Sequence, residues 1–270
     1  MMCRYLVFSA AILAGNLLAA DSQAVSKAWK TLDDGLHDGR MEHRQQTVGA
    51  LSTLPGTDPR AVQKVVNTME HDSSIRVRQT AALALGKMKA QSAVPALQKA
   101  LTDNQEVGFA AAKSLTELGS PAGEDYMVAV LKGATKPGPG MKTSFTRNAR
   151  NQMLHPGGLA LTGAAGASGL VFPPAGIGVA AAKEASGNMP HGKAGRVEAA
   201  ADLAKHNDPA SLGALEGALK DTNPDVQAEA AKSLGDLGNT SSISKLQPLL
   251  ASPHARVKTM AAASIIRLSH

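Results

Sequence analysis

Cysteine is almost absent. Its single copy in 270 residues is Cys3, ahead of an apolar run near the start of the chain. Everything after it lacks a thiol, which excludes disulfide scaffolding, thiol catalysis and cysteine-bound zinc there. Aromatic residues make up 3% of the chain, with one Trp, two Tyr and four Phe. That is too few for a β-sandwich or barrel core, and too few to stack nucleic-acid bases. Alanine and leucine must fill the interior, which suits closely packed helices.

Chemical motifs are missing as well. No two of the eight histidines stand four apart on a helix, so no helical metal pair is spelled out. There is no Gly-x-Ser-x-Gly turn, no P-loop, and no dinucleotide fingerprint after a strand. No catalytic set, metal or cofactor is expected. Acidic residues are absent from Tyr126 to Lys183, which holds Lys132, Lys136, Lys142, Arg147, Arg150 and Lys183. The formal charge of the whole chain is +6, from 28 basic and 22 acidic residues. The basic excess therefore belongs to this stretch, and the remainder is balanced. A local basic patch on an exported chain argues against nucleic acid as a ligand.

What the chain does have is a recurring phrase. It reads Asp72-Ser-Ser-Ile-Arg-Val77-Arg-Gln-Thr-Ala-Ala-Leu-Ala-Leu85-Gly86, and returns around Val107, Val226 and Val257. The steps are 107 − 77 = 30 and 257 − 226 = 31. A fixed period of this size marks a solenoid, in which each unit buries its apolar face on its neighbours. Each repeat reads as two helices. Val62, Val65, Val66 and Met69 form one stripe over Pro59–Glu70; Val77, Ala81, Ala84, Leu85 and Met88 point inward from the second helix. Gly86 is expected where helices approach closely. The other pairs are Ser22–Leu36 with Met41–Leu54, Ala93–Leu101 with Glu106–Leu118, Pro209–Leu219 with Pro224–Leu237, and Ser242–Leu250 with Pro253–Leu268. The fourth pair, Gly123–Leu131 and Gly195–Lys205, is split by about sixty residues. Asp58, Asp208, Asn223 and Ser252 each precede a proline and are expected as helix caps. Trp29 is expected either to cover an open end of the stack or to sit in the core.

The pattern of Asp, then Val, Arg, Ala-Ala and Leu-Gly resembles HEAT repeats, in particular the short bacterial type similar to those of phycobilisome-lyase proteins. The resemblance implies an all-α, right-handed, armadillo/HEAT-like solenoid of about six helix pairs. It also implies an Arg directly after the Val that pairs with a neighbour's turn Asp. Only Arg78 holds that place, with Gly108, Glu198, Gln227 and Lys258 elsewhere, so a discontinuous ladder is expected. Deoxyhypusine hydroxylase is a HEAT-like enzyme that binds iron through His-Glu pairs, and this sequence contains no His-Glu step.

The ends and the insertion complete the plan. Arg4, the apolar run Tyr5–Ala14 and the stretch Leu17-Leu18-Ala19-Ala20, which ends in small residues, read as a signal peptide over 1–20, cleaved after Ala20 or else Ala24. The product would be periplasmic or secreted; the competing reading is a retained anchor, for which the run is short. Residues 21–132 then hold repeats 1–3 and the first helix of repeat 4, and 133–192 the basic, Gly/Ala-rich insertion. Residues 193–270 hold the second helix of repeat 4 and repeats 5–6. Pro156–Ala182 is 27 residues without a charge, split by Pro173-Pro174. It reads as a small-residue hairpin or loop, as a membrane-surface element, or as a protein interface. The expected function is a non-enzymatic scaffold that binds a protein or peptide on the face of its second helices, through Arg78, Gln79, Lys113, Lys232 and Lys258. The alternative is a membrane-surface accessory protein, with Lys136, Lys142, Arg147 and Arg150 on anionic head groups. A lyase- or metal-type enzyme is the third reading.

Overall fold

The computed structural model describes residues 22–133, 193–206 and 208–270. Residues 1–21, with the signal peptide expected over 1–20, and residues 134–192 of the insertion lie outside that range. Among the described residues every regular element is helical. The helices are α1 (22–36), α2 (Met41–Leu51), α3 (Pro59–His71), α4 (Ile75–Lys87), α5 (Val94–Ala100), α6 (Gln105–Glu117) and α7 (Pro121–Leu131). After the insertion come α8 (Lys193–Leu203), α9 (Pro209–Ala218), α10 (Pro224–Leu237), α11 (Ile243–Leu246) and α12 (Ala255–Leu268).

Local chemistry sets the helix ends. Asp58 accepts hydrogen bonds from the Arg60 and Ala61 amides, and Asp208 from those of Ala210 and Ser211. Asn223 caps α10 through the Asp225 amide. In each case proline follows at the first helical position, where its missing N–H removes no bond. Pro253 departs from this pattern: α12 starts at Ala255, with His254 at its N-cap. Ser252 Oγ accepts from the His254 amide, closing a turn before the helix starts. Past α11 the chain tightens into a 3₁₀ segment, Gln247–Ala251. Pro248 has no N–H to continue the α-helical ladder there. Lys89, Gly119 and Gly238 hold the same place, twelve residues after the repeat valine, and all three are left-handed, with φ of 57°, 74° and 74°.

The chain divides into two compact units, one of residues 55–195 and the other of residues 1–54 with 196–270. In the first, α3 packs on α4, α4 on α6, α5 on α6 and α6 on α7. Val65, Val77, Ala81, Leu85, Leu97, Val107 and Leu115 are fully buried along this seam. The expected close approach at Gly86 is present. A Cβ there would lie 2.6 Å from Ser114 Oγ, and that hydroxyl donates across to the Ala82 carbonyl at 2.8 Å.

In the second unit α9 packs on α10, while α10, α11 and α2 all pack on α12. The same two features return on separate seams, the close glycine between α10 and α12 and the buried hydroxyl bond between α10 and α8. A Cβ on Gly235 would lie 2.7 Å from Ser264 Oγ, and Ser233 Oγ donates to the Ala200 carbonyl at 2.9 Å. The first repeat is thus stacked on the sixth. α12 is buried on two sides, and ten of its fourteen residues are inaccessible, Val257, Ala262, Ile265 and Ile266 among them. Trp29 is 5% exposed, so it is a buried side chain of this unit.

Candidate functional site

The side chains bordering each seam are set by the turn that precedes the second helix. In the unit of residues 55–195, Arg78 on α4 spans two repeats. Its Nε and Nη2 donate to the Asp103 carboxylate at 3.1 and 3.2 Å, and Nη1 donates to the Asp72 carbonyl at 3.1 Å. This two-pronged pairing fixes the turn before α6 against α4, because a guanidinium fork matches a carboxylate in one orientation only. Gln79 beside it is half-buried. Lys113 on the neighbouring α6 is half-buried too, and burial pulls its ammonium below the ordinary lysine range against the opposing pull of Glu117.

The other unit uses a different arrangement. Gln227 stands where Arg78 does, and its amide donates to the Asp221 carbonyl at 2.7 Å, reproducing one of the Arg78 bonds. The acidic side chains are met by arginines that precede the repeat valine. Arg196 reaches Asp221 at 3.4 Å and Arg256 reaches Asp225 at 3.3 Å. The ladder is therefore less broken than the sequence pattern implied. An arginine one step earlier on the helix is long enough to reach a turn carboxylate from a different angle.

Lys232 on α10 lies between Glu229 at 2.7 Å and Asp236 at 3.8 Å. Asp236 also pairs with Arg267 of α12, whose guanidinium donates to the Thr53 carbonyl after α2. A connected set of charges thus runs across repeats five and six and ends on a backbone carbonyl of repeat one. Lys258 is half-buried on α12. Of the five residues expected at the interaction face, Arg78 and Lys232 are engaged within the fold. The side chains of Gln79 and Lys258 make no hydrogen bond or ion pair with another described residue. Lys136, Lys142, Arg147 and Arg150 lie outside the described residues.

Sequence reasoning missed the turn between α1 and α2. Asp38 accepts from Arg40 through Nε at 3.2 Å and the amide at 2.9 Å, and meets His43 Nδ1 at 2.9 Å. Arg44 Nη1 donates to the Asp38 carbonyl at 2.9 Å. These bonds, first those from Arg40 and then that of His43, hold the Asp38 carboxyl well below the usual carboxylate range. The signal was available: Asp38 to Arg44 has the same spacing of six as Asp72 to Arg78, with His43 in the valine position.

Among the described residues no group of three or more His, Cys, Asp and Glu side chains converges on a metal-sized site. No described helix is long and apolar enough to cross a membrane. The described geometry supplies a series of packed second helices: α4 beside α6 in one unit, and α10, α12 and α2 side by side in the other.

Among curated proteins none matches this chain. Among solved structures, human deoxyhypusine hydroxylase in complex with glycerol is similar at 18% identity, over 94% of this chain and 99% of that one, with a TM-score of 0.34. Two engineered proteins are similar at 19% and 18% identity. One alignment covers 90% of this chain and 96% of that protein, with a TM-score of 0.29. The other covers 89% and 98%, with a TM-score of 0.27. A profile of HEAT repeats matches residues 62–137 and 192–266. These two stretches span more than half of the sequence, and the chain belongs to the HEAT-repeat family.

Proposed function

We propose that this protein is a non-enzymatic, exported scaffold that holds a protein or peptide segment along its second helices. The observation that carries this reading is the side-by-side packing of those helices within each unit, which gives a continuous strip of helix surface. The non-enzymatic part rests on the sequence, which spells out no nucleophile turn, phosphate loop or His-Glu pair. Gln79, Lys113 and Lys258 are the contacts of choice, because changing them leaves the Arg78 and Lys232 ion pairs intact.

The test is capture of partners from a periplasmic extract by the mature chain and by the variant carrying Gln79→Ala, Lys113→Ala and Lys258→Ala. The variant should keep its helical content and lose at least one captured partner roughly tenfold, as expected for about 1.4 kcal/mol of binding energy. Unchanged capture of every partner would reject this face.

The charge segregation of the sequence favours one second reading, a membrane-surface accessory role for residues 133–192. Flotation with anionic vesicles at low salt separates the two. Deleting 133–192 should abolish lipid association in the second reading and leave partner capture intact in the first.

A further inference from the structure

We propose that the exposed face of α7 is the docking surface for residues 141–154 of this same chain, which return along the helix from the insertion. α7 packs on α6 by its other side. A Cβ on Gly123 would lie 2.5 Å from the Ala112 carbonyl oxygen, and the Tyr126 hydroxyl stands 2.9 Å from where a Cβ on Gly108 would be. The outer side carries Glu124, Asp125, Val128 and Leu131, which fall within about 120° of one another around the helix axis. Val128 is 46% exposed and Leu131 87%, two of the three large apolar side chains exposed among the described residues. The side chains of Glu124 and Asp125 make no hydrogen bond or ion pair with another described residue. An exposed face that is acidic at one end and apolar at the other suits an occupant that is basic and apolar.

The insertion supplies one. Residues 141–154 hold Lys142, Arg147 and Arg150 and no acidic residue. Met141, Phe145, Ala149 and Met153 recur at steps of four, a spacing that lines one face of a helix. Lys142 and Arg150 each follow a residue of this stripe by one step, so they border the same edge of it. The nine residues Lys132–Gly140 that join the two segments include Gly133, Pro137, Gly138, Pro139 and Gly140, the residue types that turn a chain back. Their reach is at most about 30 Å, ample to bring Met141 beside Leu131. In an antiparallel return Phe145 then comes level with Val128, and Arg150 within one turn of Glu124, because both segments rise equally per residue. The short connection also holds the segment near α7 at an effective concentration of about millimolar. A contact too weak to keep a separate partner therefore stays closed here.

Native-state hydrogen exchange on the full chain tests the docking. Amides of 141–154 should exchange at least about tenfold more slowly than those of an unfolded chain of the same sequence. Val128→Glu combined with Leu131→Glu places charges where both side chains are already exposed, so α3–α6 should keep their protection. The same double variant should lose the protection of 141–154 by about tenfold or more. Glu124→Arg should lower that protection severalfold, and adding Arg150→Glu should restore it, as direct pairing requires. The proposal is overturned if 141–154 is unprotected in the parent, if V128E/L131E leaves its protection unchanged, or if the charge swap fails to restore it. Protection that grows with protein concentration, together with a dimer in light scattering, would assign the face to a second copy and overturn it as well.

Discussion

At the scale of single residues, the repeat frame makes substitutions comparable from one unit to the next. Lys89 occupies the left-handed position that Gly119 and Gly238 occupy elsewhere. A side chain in that region is strained by roughly 1 kcal/mol, whereas glycine is not. Lys89→Gly should therefore stabilise the protein by up to about 0.5 kcal/mol, once the roughly 0.5–1 kcal/mol of entropy that glycine adds to the unfolded chain is deducted, as read by urea denaturation. Glycines inside helices divide by what surrounds them. A methyl on Gly86 would strike Ser114, whose hydroxyl is fixed by its bond to Ala82, while a methyl on Gly213 meets nothing within 4 Å. Gly86→Ala should lower stability by about 1–2 kcal/mol through overpacking. Gly213→Ala should raise it by about 0.5–1 kcal/mol through helix propensity. The same denaturation series measures both, and equal effects would contradict the close approach at Gly86.

At the scale of elements, the turns carry the electrostatics. The Asp38 carboxyl is held low by Arg40 and His43. A group whose folded value lies below its unfolded value near 3.9 stabilises the fold at neutral pH and loses that effect as pH falls below about 4. Asp38→Asn should therefore be less stable than the parent at pH 7, and the gap should narrow progressively as pH falls from about 4 toward 2. Thermal unfolding across that range checks the sign. Helices and their repeat boundaries were legible because the apolar period and the Asp-Pro and Asn-Pro caps are local signals, as Asp58, Asp208 and Asn223 demonstrate. The arginine ladder was read only in part. Pairing depends on where a long side chain reaches in space, so Arg196 and Arg256 served from positions that a fixed motif passes over. The candidate face was legible as a set of helix positions. Which of its charges are already neutralised was not, because the partners of Lys232 and Arg78 are set by turns and packing that the helix pattern does not fix.

At the scale of the whole molecule, repeats that are neighbours within a unit need not be neighbours in sequence. The first pair packs against the helix of the sixth, and the phrase around Val257 gives no hint of it, since its buried alanines recur in the other second helices, such as Ala81, Ala111 and Ala230. The recurrent phrase specifies how one pair meets a neighbour, not which neighbour it meets. That choice rests on details such as Gly35 opposite Thr47 and Thr259.

The attachment of α2 to α12 also alters what a broken backbone would mean. A single cut between Gly133 and Lys193 would leave α1 and α2 on one piece and α12 on the other. The severed halves would still share an interface, so the nicked molecule would behave as a heterodimer of its own parts. Loss of covalent continuity in the insertion would therefore be separable from loss of assembly.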